Sequence, residues 1–465
     1  MRYISTRGSA PPIPFDEVML SALAPDGGLY MPEAWPQIGA DEMAALATRT
    51  YPEAALQVLK RFSGDAIPLS DFYTAIIAAY RRFGAPEVTP LIDLGDGLHL
   101  LELFHGPTFA FKDVALQLLG RLMDWGLKTT NRRALIIGAT SGDTGTAAIE
   151  GVRGLDRIDI VILHPKGRTS PVQRRQMTTV LDENVRNLAV EGTFDDCQSI
   201  VKALFADPDL GARYNLAAVN SINWARIAAQ IVYYVAAAAK LGAPSNQIDF
   251  SVPTGNFGDI FAGYAAHRMG AFDGRLVIAT NENDILARTL QTGRYEPRGV
   301  VETTTPSMDI QISSNFERLL FEAAGRDGAA VVRLMDDLKT RGAFELTPAM
   351  LAFIRARFDA ERVSRDQAAA EIARTEREKG IVLDPHTAIG LAAARRRRRP
   401  GVPMVALATA HPAKFQDAVS SAIGRKPPVP QRLKALEALP ERCDTLPAET
   451  AAVKAYIEAF AGGRA

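Results

Sequence analysis

The chain has 465 residues, 47% of them apolar, and its 53 basic and 53 acidic side chains leave no formal net charge. This balance excludes a protein that binds nucleic acid through bulk positive charge, and a chain of this length can bury a large core without cross-links. The two cysteines, Cys197 and Cys443, exclude a disulfide framework and a CxxC site, so we expect reduced thiols in a cytoplasmic protein.

Neither the N-terminus nor the longest apolar stretch indicates secretion or membrane insertion. Residues 1–8 lack the apolar segment of a secretory signal. The stretch from Ala225 to Ala239 is interrupted by Arg226 and Gln230 and is too short to span a bilayer. We therefore expect no membrane partner.

The first block of the chain, residues 1–85, is predicted to form a small, mainly helical N-terminal domain. Turn residues dominate its beginning and helices follow. The clearest helix has Ser70 as its expected N-cap. Phe72, Ile77 and Tyr80 are spaced so that they can share its buried face.

From residue 86 onward, short apolar runs alternate with long amphipathic stretches, a pattern that predicts βαβ units around a buried parallel sheet. The predicted strands are Ala134–Ile137, Ile158–Leu163, Ile248–Val252, Leu276–Ala279 and Met404–Leu407.

Two consecutive helices near the end of this block carry clear boundary signals. Ser364 and Gln367 form a capping-box pattern for a helix that ends near Gly380. Asp384 and Pro385 then suit the N-cap and first position of the next helix.

The basic run Arg395–Arg399 admits two interpretations. A nucleic-acid or targeting patch is one, but the run lacks interleaved aromatic residues and favours a solvated helix C-terminus. The prolines beyond it predict a linker into a C-terminal helical extension over residues 426–465.

Three predicted strands end in a turn of small polar residues followed by a helix. In open α/β sheets, ligands bind outside the carboxyl ends of strands, where these turns lie. None matches a P-loop or a GxGxxG fingerprint, so the usual nucleotide interpretations lose their main support. Each turn alone fits a plain connection better, but together they indicate a cofactor with an anionic group. The turns lie in Ile136–Thr146, Val252–Asp259 and Leu407–Pro412.

A single lysine, Lys112, lies in an aromatic segment with Phe104, Phe109 and Phe111. Its side chain could extend from an apolar segment to water, and spacing alone favours this interpretation. The alternative is a partly desolvated, neutral amine that forms a Schiff base. Such a lysine, combined with an anion-binding turn at a helix N-terminus, would suit pyridoxal 5′-phosphate.

Long, ordered motifs of the chain resemble the threonine synthase family, and the likeness runs from near residue 1 to beyond residue 415. The motifs are Ser5–Gly8, Pro25–Leu29, His105–Asp113, Ser141–Gly145, Asn220–Arg226, Gly255–Asp259, Asn281–Asp284, Pro306–Ile310, Gly380–Gly390 and Thr409–Phe415.

This resemblance implies an α/β, fold-type II enzyme of the tryptophan-synthase-β-like class that depends on pyridoxal 5′-phosphate. It implies two open, twisted α/β sheet domains beside the N-terminal domain. The catalytic core would span residues 86–425, with a smaller mobile subdomain at about 115–220 nested in it. The implied activity is that of a lyase of threonine biosynthesis, which converts O-phospho-L-homoserine and water into L-threonine and phosphate.

The resemblance also implies which residues contact the cofactor. Lys112 would be the catalytic residue and the point of covalent attachment, and Thr409 would bind the pyridine nitrogen. Asp143 stands where related enzymes often carry Asn near the 3′ oxygen, and its contact stays open because an ionised carboxylate would repel a phenolate. The cofactor phosphate would be held by Gly255, Asn256, Phe257, Gly258 and Asp259.

Substrate residues follow from the same likeness. Asn220 and Arg226 would bind the leaving phosphate, although spacing alone fits Arg226 to a solvated helix arginine. His105 and His411 suit a structural role at least as well as a catalytic one, and no metal-ligand spacing occurs. The substrate carboxylate would face Thr140, Ser141 and Thr144.

Two other functions remain open from the sequence. A related fold-type II lyase, such as a serine or threonine dehydratase or a threonine-synthase-like phospholyase, would use the same lysine. Cleavage of O-phospho-L-homoserine to 2-oxobutyrate instead of threonine would favour this alternative. A non-catalytic, nucleotide-binding α/β protein would form no lysine adduct. We expect a small-molecule substrate, no nucleic-acid partner, and a monomer or homodimer.

Overall fold

A computed structural model describes residues 1–21, 23–217 and 220–463. Within these ranges the chain forms a six-stranded and a five-stranded sheet, each flanked by helices, and an N-terminal unit that packs against them. No helix of the described residues is long and apolar enough to cross a bilayer.

The N-terminal unit combines a small antiparallel sheet with four helices. Its strands and helices are β1 (Arg2–Ser5), β2 (Ile13–Pro14), β3 (Tyr30–Pro32), α1 (Phe15–Val18), α2 (Ala40–Leu46), α3 (Tyr51–Ser63) and α4 (Leu69–Tyr80).

Helix α4 forms close to its predicted place, but the predicted N-cap was wrong: the helix begins at Leu69 with Pro68 at the N-cap, and Ser70 lies within the first turn. Its buried face also differs by one residue. Phe72, Ile76 and Tyr80 are buried at intervals of four, whereas Ile77 is 38% exposed. The predicted choice of Ile77 was wrong because one further residue rotates the side chain by about 100° around the helix.

The larger sheet has the order β14-β11-β10-β15-β5-β4, and only β4 runs antiparallel to its neighbour. Its strands are β4 (Leu91–Asp93), β5 (Leu98–Glu102), β10 (Asp249–Pro253), β11 (Leu276–Thr280), β14 (Phe358–Arg362) and β15 (Met404–Ala408). A two-stranded hairpin beside it pairs β12 (Arg294–Tyr295) with β13 (Phe344–Glu345).

Helices cover both faces of this sheet, as a parallel sheet requires. They are α10 (Trp224–Lys240), α11 (Gly258–Arg268), α12 (Ile285–Thr292), α13 (Phe316–Ala323), α14 (Gly328–Arg341), α15 (Pro348–Arg355), α16 (Arg365–Lys379), α17 (Pro385–Arg397) and α18 (Gln416–Ile423). The predicted caps of two of them are confirmed: Ser364 Oγ accepts from the Gln367 N–H before α16, and Asp384 caps α17.

The smaller sheet is entirely parallel, with the order β16-β8-β7-β6-β9. Its strands are β6 (Ala134–Ala139), β7 (Ile158–Pro165), β8 (Val185–Glu191), β9 (Leu216–Ala217) and β16 (Asp444–Pro447). The helices around it are α5 (Lys112–Thr129), α6 (Asp143–Val152), α7 (Pro171–Thr178), α8 (Phe194–Phe205), α9 (Pro208–Tyr214), α19 (Gln431–Ala435) and α20 (Thr450–Gly462).

The C-terminal segment differs from the predicted helical extension. Besides α19 and α20 it contains β16, which adds a parallel edge strand to β8. Val453 and Ile457 of α20 are fully buried in the core of the smaller domain. A strand of four residues, exposed along much of its length, has no periodicity from which it could be predicted.

The N-terminal end of helix α10 is held by the N-terminal unit. Asn223 caps its first turn, and the carboxamide of Asn223 also donates to Met19 O (2.9 Å) in the N-terminal unit. Trp224 packs its ring against Tyr3 and Phe62. The N-terminal unit therefore fixes the position at which α10 begins.

Candidate active site

A cavity of about 950 Å³ lies between the two sheets, where the carboxyl ends of β6, β10 and β15 converge. Every residue predicted for the site lines this cavity, whereas His105 and His411 do not border it. The predicted set is Lys112, Thr140, Ser141, Asp143, Thr144, Asn220, Arg226, Gly255, Asn256, Phe257, Gly258, Asp259 and Thr409.

Lys112 begins helix α5 and is only 8% exposed. Among the described residues, its ammonium has no hydrogen-bond acceptor or ion-pair partner; its nearest ring contact is Phe111, 6.0 Å away. Burial lowers the pKa of Lys112 to about 8; Asp143 opposes this shift, and Arg226 and Lys414 add to it. An amine in this state is a competent nucleophile and base near neutral pH, and a lysine that reaches bulk water does not fit the observed burial.

The turn after β10 presents backbone N–H groups to the cavity. Ser313 Oγ–H donates to Gly255 O (2.7 Å), and the Asn315 N–H donates to Asn256 O (3.0 Å). Because the C=O and N–H of a planar trans peptide point in opposite directions, the N–H groups of Asn256 and Phe257 face away from these two donors.

The same turn leads directly into helix α11. Phe257 adopts a left-handed conformation with φ +65°, and the helix begins at Gly258. The N–H groups of its first turn precede the intrahelical ladder and have no acceptor within the helix. A turn of this kind binds an anion through N–H groups and the positive end of the helix dipole.

The carboxyl group of Asp259 points away from this anion site. Its Oδ1 accepts from Tyr233 (2.5 Å) and Tyr234 (2.9 Å) on α10, and its Oδ2 has no partner within the described residues. Burial raises the pKa of Asp259 to about 6, against the opposing effect of the two tyrosines and Arg226. Only the backbone N–H of Asp259 is therefore suited to bind a phosphate.

Thr409 follows β15 and is tied to the lysine segment. The Phe111 N–H donates to Thr409 O (2.8 Å), and the Thr409 N–H donates to Thr387 Oγ1 (3.1 Å). Its hydroxyl has no protein partner in the part of the chain that the structure describes, so it is available to a ligand. Lys112 and Thr409 are thus held next to each other by one backbone hydrogen bond.

The wall formed by the smaller domain contains three hydroxyls. Thr140 Oγ1 accepts from the N–H groups of Gly142 (3.0 Å) and Gly145 (2.9 Å), so it shapes the turn between β6 and α6. Ser141 and Thr144 make no side-chain hydrogen bond within the described residues and are free for a ligand.

Arg226 places a buried guanidinium in the cavity. It is 4% exposed, and its only protein acceptor among the described residues is Asn220 O, at 3.1 Å. Burial lowers the pKa of Arg226 to about 10, partly offset by Tyr233 and Asp259. A buried guanidinium with unused donors is suited to an anionic ligand, and a solvated helix arginine does not fit this burial.

Asp143 has two protein partners, whereas its contact with the cofactor stays a prediction. Its Oδ1 forms an ion pair with Lys414 (2.7 Å) and accepts from Gln173 Nε2 (2.8 Å). Burial raises the pKa of Asp143, but Lys414, Lys112 and Gln173 outweigh this effect and hold the pKa well below its usual range. The carboxylate is therefore ionised and has a partner.

Sequence reasoning assigned no role to Lys414 or His386. His386 is buried in the cavity wall, with Nδ1 2.9 Å from Asp384 and Nε2 without a partner in the described ranges. Lys414 lies within a quoted motif, but spacing along the chain gives no sign that it turns toward Asp143. Two histidines outside the cavity have protein partners: His105 pairs with Glu102 (2.7 Å), and His411 Nδ1 accepts from the Ala413 N–H.

These features fit pyridoxal 5′-phosphate on structural grounds alone. The aldehyde would meet the free amine of Lys112, the phosphate the N–H groups of the turn after β10, and the pyridine nitrogen the free hydroxyl of Thr409. Ser307 O lies so close to the Gly255 backbone that an added Cβ would be only 2.9 Å from it.

Three protein-family models match the chain. One described as "Threonine synthase N terminus" matches residues 2–80, one described as "Pyridoxal-phosphate dependent enzyme" matches residues 84–337, and one described as "Threonine synthase, C-terminal" matches residues 387–457.

Named relatives are similar over nearly the whole chain. Threonine synthase of Pseudomonas aeruginosa is 52% identical over 459 residues, which cover 98% of each chain. Threonine synthase of Saccharomyces cerevisiae is 43% identical, covering 95% of this chain and 94% of the yeast protein. Human threonine synthase-like 2 is 36% identical, with coverage of 95% and 93%.

Solved structures agree with the fold. A threonine synthase from Brucella melitensis with bound PLP superposes with a TM-score of 0.97 at 53% identity, covering 99% of each chain. The yeast enzyme gives a TM-score of 0.95 at 41% identity, again over 99% of each chain, and the Escherichia coli enzyme gives 0.81 at 31% identity over 99% and 100%. The predicted fold class is confirmed.

Proposed function

The chain belongs to the threonine synthase family and is a pyridoxal-5′-phosphate-dependent lyase; on this basis we propose that its cavity binds O-phospho-L-homoserine and releases L-threonine and phosphate. One observation carries the proposal. A free, buried amine, that of Lys112, shares one cavity with two separate anion sites, the N–H turn after β10 and the guanidinium of Arg226. The reaction brings two phosphates, one on the cofactor and one on the substrate.

The cofactor would be held by three parts of the chain. Lys112 would bind its aldehyde covalently, and Thr409 Oγ1 would donate to the pyridine nitrogen. The backbone N–H groups of the turn would hold the phosphate; they are those of Gly255, Asn256, Phe257, Gly258 and Asp259. When bound, pyridoxal 5′-phosphate supplies an electron sink for negative charge that develops at the substrate α carbon.

The substrate would lie between the smaller domain and α10. Ser141 and Thr144 donate hydroxyl hydrogens to its carboxylate, and Thr140 shapes the turn that presents them. Arg226 and Asn220 bind the γ-phosphate. An arginine suits this group because its planar donors match phosphate oxygens in pairs, and burial strengthens the attraction.

Lys112 would also move the protons of the reaction. Once the substrate amine has taken its place, the neutral Lys112 amine would remove the proton from Cα. The same amine would then remove a proton from Cβ, which must leave before the γ-phosphate departs. The same amine would return a proton to Cγ, which becomes the methyl group of threonine, orient the water that adds at Cβ, and return a proton to Cα. Its pKa of about 8 suits a base that must accept and return protons near neutral pH.

We propose an N-terminal domain at residues 1–85 and a catalytic core at 86–425 with the smaller subdomain at about 115–220. Residues 426–465 form a C-terminal extension whose β16 and α20 pack on this subdomain. The gap between α4, which ends at Tyr80, and β4, which begins at Leu91, supports the first boundary. We also propose that the substrate is the only partner that the site requires and that the chain acts as a monomer or homodimer.

The proposal is tested on the purified full-length protein. Borohydride reduction followed by peptide mapping should place the cofactor on Lys112, and a Lys112→Arg variant should lose the adduct and the visible absorbance. The matched control is Lys202→Arg, since Lys202 also lines the cavity and should leave the adduct in place.

The products separate this function from its alternatives. With O-phospho-L-homoserine we expect L-threonine and phosphate in equal amounts. Release of 2-oxobutyrate would point to the related lyase instead, and a colourless protein without adduct would overturn the assignment altogether.

A further inference from the structure

Lys414 is a lysine without contact to solvent that stands behind the cavity wall. Its side chain has 0% exposure, and it belongs to the short helix Pro412–Lys414 that follows Thr409 by a few residues. It does not border the cavity. Because burial of an unpaired ammonium is expensive, the contacts of Lys414 should account for its presence.

Those contacts join both domains to the lysine segment. Lys414 Nζ lies 2.7 Å from Asp143 Oδ1, at the start of α6 in the smaller domain, and donates to Thr108 O (2.9 Å). Thr108 in turn donates through its N–H and hydroxyl to Asp113, the residue after Lys112.

Two glutamines of helix α7 donate hydrogen bonds to the same acceptors as Lys414. Gln173 Nε2 donates to Asp143 Oδ1 (2.8 Å), and Gln176 Nε2 donates to Thr108 O (3.0 Å). The carboxylate of Asp143 is thus held by one cation and one amide, both outside the cavity. This arrangement leaves the amine of Lys112 without an acceptor, although Asp143 and Lys112 line the same wall.

We propose that Lys414 is a positioning residue for Lys112: its ammonium holds the Asp143 carboxylate in a buried ion pair, so that Asp143 does not take Lys112 as its counterion. The inference rests on the proposed role of Lys112. Lys414 touches neither substrate nor cofactor and acts only through Asp143.

The charges around Lys112 determine how its protonation changes when Lys414 is removed. Asp143 favours the protonated form of Lys112, whereas Arg226 and Lys414 disfavour it, and Asp113 lies close to Lys414 with its carboxylate bonded to Thr108. Without Lys414, the buried Asp143 carboxylate would lose its cation. The nearest amine, Lys112, would then take up a proton, because a buried unpaired charge is strongly unfavourable.

The test measures the ionisation of Lys112 directly, on the full-length chain freed of cofactor with hydroxylamine. Trace acetic anhydride, which reacts only with neutral amines, is applied across pH 6 to 10, and labelling of the Lys112 peptide is measured by mass spectrometry. The variants are Lys414→Met, Asp143→Asn and the combination of both. Lys128→Met is the matched control, since Lys128 pairs with Asp124 (2.8 Å) outside the cavity.

We expect Lys414→Met to reduce labelling of Lys112 at pH 7 by about tenfold or more, which corresponds to a pKa higher by about one unit or more. Asp143→Asn should increase labelling. The combined variant should return it to within about threefold of the wild type, and Lys128→Met should not change it. Lys414→Arg, which keeps the charge, should stay close to the wild type.

An unchanged profile in Lys414→Met, or a loss that Asp143→Asn does not rescue, overturns the proposal. If Lys414→Met fails to fold, Asp143→Asn and the combined variant decide by the same profile. A failure of the proposed function has a different signature, because borohydride would then map the cofactor to a residue other than Lys112 in the wild type.

Discussion

Replacing Arg226 with methionine should stabilise the protein while weakening its hold on phosphate. Burial lowers the pKa of Arg226 from its ordinary value to about 10, which corresponds to about 3 kcal/mol of unfavourable burial for its charge. The variant also loses one hydrogen bond, to Asn220 O, worth about 1 to 1.5 kcal/mol. The balance is a gain in unfolding free energy of about 2 kcal/mol.

Binding of substrate should change in the opposite direction. Two charge-assisted hydrogen bonds to phosphate contribute about 1.5 to 3 kcal/mol each, so KM should rise by about a hundredfold or more. Arg226 therefore illustrates a residue whose presence lowers stability for the sake of binding.

The assay is thermal unfolding of the cofactor-loaded protein, with and without inorganic phosphate. Phosphate should raise the midpoint of the wild type by mass action and leave the Arg226→Met midpoint unchanged. Arg318→Met is the control, because this fully buried arginine donates to Tyr30 O and Ile222 O and does not line the cavity, so phosphate should still raise the midpoint of this variant. A less stable Arg226→Met, or one that phosphate stabilises as much as the wild type, would refute the reasoning.

Three further predictions concern other parts of the site. Asp259→Asn should stabilise the cofactor-free chain increasingly as the pH rises from about 4 to 6, and by a constant amount of about 3 kcal/mol above that. The reason is that the folded pKa of about 6 exceeds the ordinary 3.8, so the wild type loses the stability contributed by the protonated acid in this pH range. Denaturant unfolding at several pH values measures the effect, and a difference between variant and wild type that is independent of pH contradicts it. Thr409→Asp should increase the share of 2-oxobutyrate among the products, because a carboxylate keeps the pyridine nitrogen protonated and strengthens the electron sink. Quantification of 2-oxobutyrate and L-threonine checks this, and an unchanged ratio of the two speaks against it. Gly255→Ala should weaken cofactor binding at least about tenfold, since its Cβ would lie 2.9 Å from Ser307 O. In the control variant Gly211→Ala the added Cβ meets no atom within 4 Å, so this variant should bind the cofactor normally. Cofactor titration distinguishes the two, and equal affinities would show that the short contact to Ser307 O does not matter.

The parts of the fold that follow from local rules could be predicted from the sequence. The caps of α16 and α17 were predictable because Ser364 and Asp384 act on N–H groups two or three residues away. The turns after β10 and β15 lie at the same edge because these strands of one parallel sheet end on the same side, whereas the turn after β6 belongs to the other sheet and meets them only through the packing of the two domains. Long motifs then identified the family.

The remainder depends on contacts between distant residues. Ile76 and Ile77 are equally apolar, and only the packing of α4 decides which of them is buried. The partner of Asp143 comes from the far end of the chain, at Lys414. The burial of Arg226 likewise follows from the fold, since its spacing alone fits a solvated helix as well.

The last strand of the chain has a consequence for how the protein is made. Strand β16 and helix α20 complete the smaller sheet, and both come much later in the chain than β6, β7 and β8. Until β16 has been synthesised, the outer edge of β8 has no partner from this sheet, and an open edge strand is prone to wrong pairing. Only after β16 and α20 have docked can the smaller domain reach its final stability.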